Sequence, residues 1–190
     1  MFQRSLIMFR SLQHAHLRLM YRWLQHPDVS RWYGRTPETY AEVEAKYLPR
    51  ISGEVPVRCF LVEYDNEPVA YSQTYRIDHD PAYARALGVD RDAFGVDLFI
   101  GESGFRYRGF GSLMLQEFVS RIIFAAGDAS CCVIAPEVAN HSAIRAYQKA
   151  GFRYIRTVTA PGTRSLEYVM MLWPDELDDR IAEREGMTPQ

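Results

Sequence analysis

A single carboxylate interrupts an apolar run at residues 95–101, where Asp97 lies among side chains that otherwise suit a buried strand. Burial disfavours the charged form of a carboxylate, so it raises the pKa from its ordinary value of ~3.9 and makes the group a stronger base. An acid of this kind can act as a general base. The alternative is structural: Asp97 pairs with a buried arginine.

A glycine-spaced turn follows that run and leads into an amphipathic helix. Its residues are Arg106, Tyr107, Arg108, Gly109, Phe110, Gly111 and Ser112. Glycines allow the tight turn in which N–H groups at a helix start converge on an anion, and the helix dipole and the arginines add positive charge. The pattern predicts a pyrophosphate site, and the alternative is a turn that only opens the helix. A dinucleotide is disfavoured because its glycine spacing and acidic ribose ligand are missing.

A later segment, residues 140–150, predicts a capped helix with one narrow face. Asn140 or Ser142 can cap it, and Gly151 suits its left-handed end. Alanines that include Ala143 keep one face small, and Tyr147 lies one turn further on. Small side chains leave room for a narrow ligand, whereas an ordinary capped helix with a core tyrosine is the alternative.

A longer connection at residues 78–94 carries Asp78, Asp80, Asp90 and Asp92. Long connections inside compact domains are often functional, so these acids are candidates for binding a cation. Solvation of an exposed loop explains them equally well. The 5 histidines make no convincing metal set, and we predict no metal.

The apolar patterns predict the order β, α, α, β, β, β, α, β, α, β, β. The first helix, at 14–25, has Leu17, Met20 and Leu24 on one stripe, and the second begins with Thr36 as its N-cap and Pro37 at its first position. This order predicts an α+β fold, a mixed sheet with helices on it, rather than a doubly wound nucleotide fold. We expect one domain at 1–173 and a charged tail at 174–190.

Composition limits the partners. The net charge of −2 and the pI near 6.2 give no global basic field, so we expect no nucleic acid. The apolar runs fall short of the about 20 residues that a membrane span needs, so we expect no membrane. Three cysteines without metal-ligand spacing predict reduced core residues and a cytoplasmic protein. A monomer and a homodimer both remain open.

Together these motifs resemble the GNAT superfamily of N-acetyltransferases. In that superfamily an R-x-x-G-x-G/A turn holds the pyrophosphate of acetyl-CoA, and an N-x-x-A-x-x-x-Y-x-K-x-G-F helix flanks the pantetheine arm. The helix pattern is matched here by Asn140, Ala143, Tyr147, Lys149, Gly151 and Phe152. The resemblance implies acetyl-CoA as co-substrate and a mostly antiparallel sheet of seven strands that splays between strands 4 and 5.

Within the superfamily, the chain is similar to the aminoglycoside 6′-N-acetyltransferases. The similar segments, in order, are 21–34, 42–51, 67–75, 95–102 and 140–162. The similarity implies a primary amine of a small cationic substrate as acceptor, most closely the 6′-amine of an aminoglycoside. The implied biological role is resistance to aminoglycoside antibiotics.

The resemblance also implies roles for single residues. Asp97 matches the general base, and Tyr147 matches the general acid toward the CoA thiolate. Backbone amides near Phe99 and Ile100 would meet the thioester oxygen. The residues assigned to the acceptor are Trp32, Tyr33, Tyr75, Asp78, Asp80, Asp97 and Glu137. Trp32 and Tyr33 match an aromatic pair near the acceptor, although plain core aromatics are the alternative.

The chain departs from the aminoglycoside enzymes at two acids. An acid is replaced by Ala135, and another is missing from the late loop near Gly162. Glu137 and the acids at 78–92 are candidates to replace them. Another amine, such as a siderophore precursor or a protein N-terminus, is the alternative acceptor. A catalytically silent CoA-binding module is the alternative function.

Overall fold

The computed structural model describes residues 2–89, 92–159 and 165–177. Its contacts divide the chain into two compact units. The first contains Met1–Tyr75 and Val96–Gly111, and the second contains Arg76–Gly95 and Ser112–Gln190. Asp90 and the tail beyond residue 177 lie outside the described residues, so the boundary at 173 stays a prediction.

Seven strands form one mixed sheet. They are β1 (Ile7–Ser11), β2 (Val57–Tyr64), β3 (Glu67–Arg76), β4 (Ala93–Ile100), β5 (Cys131–Ile134), β6 (Arg153–Thr159) and β7 (Leu166–Leu172). Their order across the sheet is β1-β2-β3-β4-β5-β7-β6. Strands β4 and β5 run parallel and pair over three positions, from Ala93 with Cys131 to Gly95 with Val133. The predicted α+β class with a mixed sheet is confirmed.

The described α-helices are α1 (Leu17–Leu24), α2 (Pro27–Ser30), α3 (Tyr40–Ile51), α4 (Pro81–Leu87), α5 (Phe110–Phe118) and α6 (His141–Ala150). The predicted start of α3 was wrong. Thr39 caps this helix, because its hydroxyl accepts a hydrogen bond from the Glu42 N–H, and Pro37 lies before the helix. Helix α4 was missed, since a helix of only 7 residues carries little periodic signal inside a polar connection.

In the first unit, α1 and α3 share a hydrophobic core with one face of strands β2, β3 and β4. Alternate residues of a strand share a face, and Leu61, Tyr71 and Phe99 join this core. The helices contribute Leu17, Met20, Trp23, Leu24, Val43 and Tyr47. The predicted stripe on α1 is thereby confirmed. Burial of each large apolar side chain stabilises the fold by roughly 1.5–3 kcal/mol.

A close approach at the end of β4 fixes Trp23 against the backbone. A Cβ atom on Gly101 would lie 2.1 Å from Cδ2 of the Trp23 ring, a distance that side chains do not tolerate. The indole Nε1 of Trp23 donates to Glu102 at 2.8 Å. The tryptophan is therefore held both by packing and by a hydrogen bond next to the candidate anion turn.

In the second unit, β5 is buried along its whole length and α6 follows it. Asn140 is the N-cap of α6, since its side chain accepts from the Ala143 N–H at 3.1 Å. Gly151 ends the helix with a φ of +114°, so the predicted left-handed C-cap is confirmed. Helix α5 continues as a π-helical segment at Val119–Ile123.

Cys59, Cys131 and Cys132 are buried thiols, as the sequence predicted for core residues. Within residues 2–89, 92–159 and 165–177, the structure has no helix with the length and apolar character needed to cross a membrane.

Candidate active site

Asp97 lies on β4 in the first unit, where neutral donors hold its carboxylate. The Gln73 side-chain amide donates to Oδ2 at 2.7 Å, and the Tyr75 hydroxyl also bonds to the carboxylate. Desolvation raises the pKa of Asp97, while Gln73 and then the charges of Arg50 and Lys46 act in the opposite direction. The predicted buried-strand acid therefore has a raised pKa, and the side chain remains partly accessible.

Aromatic rings line the same face of the sheet. The Tyr33 ring lies 4.8 Å from Phe99 between centroids, and Tyr71 stacks on Phe99 at 5.3 Å. The Lys46 ammonium lies 5.4 Å from the ring of Tyr33. Tyr33 and Asp97 interact electrostatically, and burial is the main reason that the pKa of Tyr33 is raised. The structure therefore brings Tyr33, Tyr75 and Asp97 together.

Trp32 has a different setting from Tyr33. Its ring packs against the Arg31 guanidinium at 4.7 Å, and the side chain is partly exposed. The described contacts associate Tyr33, but not Trp32, with the Asp97 group. The predicted role of Trp32 at the acceptor stays a prediction.

The candidate anion turn is left-handed at two residues. Tyr107 has a φ of +59° and Gly109 a φ of +87°, and α5 begins directly afterwards at Phe110. A tyrosine at positive φ is uncommon and marks a constrained backbone. Tyr107 is 77% exposed, and N–H groups at the start of a helix form a site for anions. The turn suits the pyrophosphate that the sequence predicted.

Arg106 is buried and has protein partners for its guanidinium. Its Nε donates to the Ile100 carbonyl at 2.9 Å, and Nη2 donates to the Gly101 carbonyl. Its Nη1 donates to Asp28 Oδ2 at 3.0 Å and contacts a ring nitrogen of His26. These contacts tie the turn to the end of β4 and to α2. Sequence reasoning placed Arg106 at the pyrophosphate and did not foresee this bracing role.

Arg108 is exposed, unlike Arg106. Its Nη1 donates to the Gly104 carbonyl at 3.0 Å, and its guanidinium lies 5.9 Å from the Phe2 ring. An arginine with spare donors at a helix start is suited to phosphate oxygens. Of the two predicted arginines, Arg108 is the one whose charge faces solvent.

The second unit contains the remaining predicted site residues. Tyr147 is 9% exposed on α6 and lies 6.5 Å from Phe152 between ring centroids. Lys149 and Glu137 are exposed, and Glu137 precedes α6 in the chain. The other predicted residues in this unit are Asp78, Asp80, Ser112, Asn140 and Ala143. The predicted roles of Tyr147, Lys149 and Glu137 are not tested by these contacts.

Of the loop acids, Asp78, Asp80 and Asp92 lie in the described part of the chain and have protein partners. Arg76 contacts both carboxylate oxygens of Asp78, at 3.1 and 2.7 Å, and also reaches Asp92 at 2.8 Å. The Arg76 hydrogen bond is the main cause that lowers the pKa of Asp78. Asp80 caps α4 by accepting from two backbone N–H groups. Their contacts give these acids structural roles that the sequence did not reveal.

A different set of side chains was missed. Gln73 contacts Asp97, and Arg50 and Tyr71 contact Gln73 in turn. The only signal for Gln73 was its position two residues from Tyr75 on the same strand face. In the described part of the chain, no group of three metal-ligating side chains is suitably placed to hold an ion.

Comparisons with known proteins agree with the sequence resemblance. A family model described as an acetyltransferase (GNAT) domain matches residues 13–160. An aminoglycoside N(6′)-acetyltransferase type 1 of Klebsiella pneumoniae is 26% identical over 166 residues, which cover 82% of this chain and 78% of that protein.

Solved structures show the same fold. The aminoglycoside acetyltransferase AAC(6′)-Ib, in complex with paromomycin and acetyl-CoA, aligns with a TM-score of 0.81 at 24% identity, covering 90% of this chain and 96% of that one. A spermidine N-acetyltransferase from Vibrio cholerae, in complex with CoA and spermine, aligns with a TM-score of 0.72 at 14% identity, covering 91% and 98%.

Proposed function

Because the chain belongs to the GNAT acetyltransferases, we propose that it transfers the acetyl group of acetyl-CoA to a primary amine of an aminoglycoside, at the 6′ position. The similarity of this chain to an aminoglycoside N(6′)-acetyltransferase supports an aminoglycoside as the acceptor. The five segments that resemble the aminoglycoside 6′-N-acetyltransferases support it too. The broader claim, an acetyl-CoA-dependent N-acetyltransferase, follows from the family.

The proposed mechanism rests mainly on the setting of the Asp97 carboxylate, which is partly buried and has a raised pKa. An acceptor amine attacks a thioester only when its nitrogen is unprotonated, so the enzyme must take a proton from the ammonium form. A carboxylate with a raised pKa is a stronger base than an ordinary carboxylate and accepts that proton more readily. We assign Asp97 to attract the ammonium group and to take its proton, directly or through water.

The first unit also supplies the proposed contacts to the pyrophosphate and the thioester of acetyl-CoA. The turn at 106–111 and the start of α5 would hold the pyrophosphate, with Arg108 as the exposed cation and Arg106 as the brace behind it. Backbone amides near Phe99 and Ile100 would face the thioester oxygen as an oxyanion hole does. Acetyl-CoA itself supplies an activated acetyl group and a thiol leaving group.

Tyr147 is the proposed partner of the leaving group. A phenol with an ordinary pKa of ~10 can donate a hydrogen bond to a thiolate whose conjugate acid has a pKa of ~8.5. The assignment rests on its match to the family's motif. No covalent enzyme intermediate is needed, because the amine attacks the thioester directly.

The charges beside Asp97 favour a second candidate acceptor. Lys46 and Arg50 act on Asp97 as cations, and the loop acids Asp78 and Asp92 are already paired with Arg76. A strongly polycationic acceptor gains little from such surroundings, whereas an amine whose molecule also carries a carboxylate would be attracted by Lys46 and Arg50. A siderophore precursor built on an amino acid has this chemistry.

The test combines binding with turnover. Isothermal titration measures acetyl-CoA affinity, and a thiol-release assay then measures acetylation of a panel of amines. The panel contains kanamycin, spermidine, an N-hydroxylated lysine and a peptide N-terminus. We expect the highest kcat/KM for kanamycin and loss of turnover in the Asp97→Asn variant. A preference for the carboxylate-bearing amine would support the second candidate. Acetyl-CoA binding without turnover of any amine would leave a silent module.

A further inference from the structure

We infer that Gln73 is a positioning residue for Asp97, and that Arg50 sets the direction in which the Gln73 amide points. This inference rests on the proposed function, since it assumes that Asp97 acts on the acceptor proton. It concerns three side chains on β3, β4 and α3, none of which the sequence patterns singled out apart from Asp97.

The geometry forms a short chain of hydrogen bonds. Gln73 is 7% exposed, and its Nε2 donates to Asp97 Oδ2 at 2.7 Å. Its Oε1 accepts from Arg50 Nη1 at 2.6 Å and from the Tyr71 hydroxyl at 2.8 Å. Both ends of the amide are therefore used, and each end has partners of the matching type.

The partners fix which end of the amide faces Asp97. A guanidinium has donors only, so the Gln73 group next to Arg50 must be the carbonyl oxygen. The amino group is then forced toward Asp97, where it requires an oxygen that accepts. Tyr71 cannot impose this direction, because a hydroxyl both donates and accepts. An ionised Asp97 also only accepts, but a protonated one can donate, so Arg50 is the partner that keeps the amide in this orientation in both protonation states of Asp97.

Tyr71 completes the network on the side away from Asp97. Its hydroxyl lies 2.9 Å from Cys59 Sγ as well as 2.8 Å from Gln73 Oε1. A hydroxyl has one proton, which Tyr71 can donate either to Gln73 Oε1 or to Cys59 Sγ, while the Cys59 thiol can donate to the Val57 carbonyl. Tyr71 thereby holds Gln73 from the side away from Asp97.

This arrangement favours an ionised Asp97. The Gln73 donor at Oδ2 stabilises the carboxylate form. The groups that act on Asp97 from the elements around it are Gln73, Tyr75, Arg50, Lys46, Tyr33 and Tyr47. Loss of Gln73 removes the hydrogen bond that most opposes desolvation, so the pKa of Asp97 should rise further.

The decisive measurement is the pH profile of kcat/KM in the Gln73→Met variant. Asp97 works when ionised, so activity is lost as the pH falls through its pKa, and a higher pKa moves that loss to higher pH. We expect the midpoint of the acid limb to move up by about one pH unit. At pH values below the wild-type midpoint, kcat/KM of the variant should then be about tenfold lower than that of the wild type. The acceptor's own ionisation is the same for both proteins, so the ratio of the two profiles isolates the enzyme.

Two further variants separate orientation from charge. Arg50→Met removes both the cation and the directional donor, so its acid limb should move in the same direction as that of Gln73→Met. Arg50→Lys keeps a donor-only cation and should move the limb less than Arg50→Met. Gln116→Met is the matched control, because Gln116 is a buried glutamine of the second unit that donates to the Ala150 carbonyl. Its acid limb should match the wild type.

The outcomes distinguish the proposed function from the positioning role of Gln73. No acetylation of any amine by the wild-type enzyme would remove the proposed function, whereas full turnover in Asp97→Asn would remove the role of Asp97 and with it this inference. Collapsed turnover in Asp97→Asn, together with unmoved acid limbs in Gln73→Met and Arg50→Met, would overturn the positioning role alone. If Gln73→Met does not fold, the contrast between Arg50→Met and Arg50→Lys decides the question, because equal profiles would contradict the directional lock.

Discussion

Asp97 and Asp78, which the sequence both assigned to the acceptor, have different partners. Neutral donors, the Gln73 amide and the Tyr75 hydroxyl, hold Asp97 on β4. Arg76 instead clamps both carboxylate oxygens of Asp78. A carboxylate held by neutral groups keeps its negative charge for a ligand, whereas a carboxylate clamped by arginine has its charge already balanced.

The arginines of the anion turn differ in the same way. Arg106 is buried among carbonyls and Asp28, so its charge serves the fold. Arg108 is exposed, and its charge remains available to a phosphate. In both pairs, the kind of partner separates a group that builds the structure from a group that can meet a substrate.

The largest effect should come from Asp97→Asn. Asparagine keeps the shape and can still accept from Gln73, but it cannot take a proton, so kcat should fall by about 10²–10⁴-fold. Acetyl-CoA affinity, measured by isothermal titration, should stay near the wild-type value. Wild-type turnover in this variant would place Asp97 with the structural acids and end the comparison.

The next largest effect should separate the two arginines. Arg106→Ala leaves buried carbonyls without donors, so it should lower the free energy of unfolding by about 2 kcal/mol. Arg108→Ala should leave stability unchanged and weaken acetyl-CoA binding several-fold, with a smaller deficit at high salt. Denaturant unfolding and titration at two ionic strengths measure both. An equal loss of stability in the two variants would contradict the assignment.

Asp80→Ala should show a smaller effect, on stability alone. Removal of an N-cap side chain costs about 1 kcal/mol, because two N–H groups of α4 lose their acceptor. Thermal unfolding measures this cost, and Asp80→Asn is the control, since asparagine also caps helices well. A rise in KM for the acceptor at unchanged stability would instead return Asp80 to the substrate site that the sequence suggested.

The smallest effect is expected for Asp78→Asn. Arg76 already balances the charge of Asp78, and it still contacts Asp92 in the variant. The KM for the acceptor should therefore change by less than about twofold. The stability should also change little, because ion pairs near the surface contribute little free energy. A steep rise in KM would show that the acceptor takes Arg76's place beside Asp78.

The fold and the type of site could be predicted because their signals are local. The stripe on α1, the glycines of the turn and the Asn140 cap depend on residues near one another in the chain. The environment of Asp97 could not be predicted, because Gln73 and Arg50 reach it from β3 and α3, at sequence separations that no periodic pattern records. The ion pair of Arg76 with Asp92 was hidden for the same reason.

The contact of Trp23 with Gly101 constrains how relatives of this chain can diverge. A side chain at position 101 would occupy the space of the indole ring, so a homologue with any Cβ there must carry a smaller residue at position 23. The two positions should therefore co-vary as a large–small pair. Loss of the indole would also leave Glu102 without the Nε1 donor, so a third position is expected to change with them.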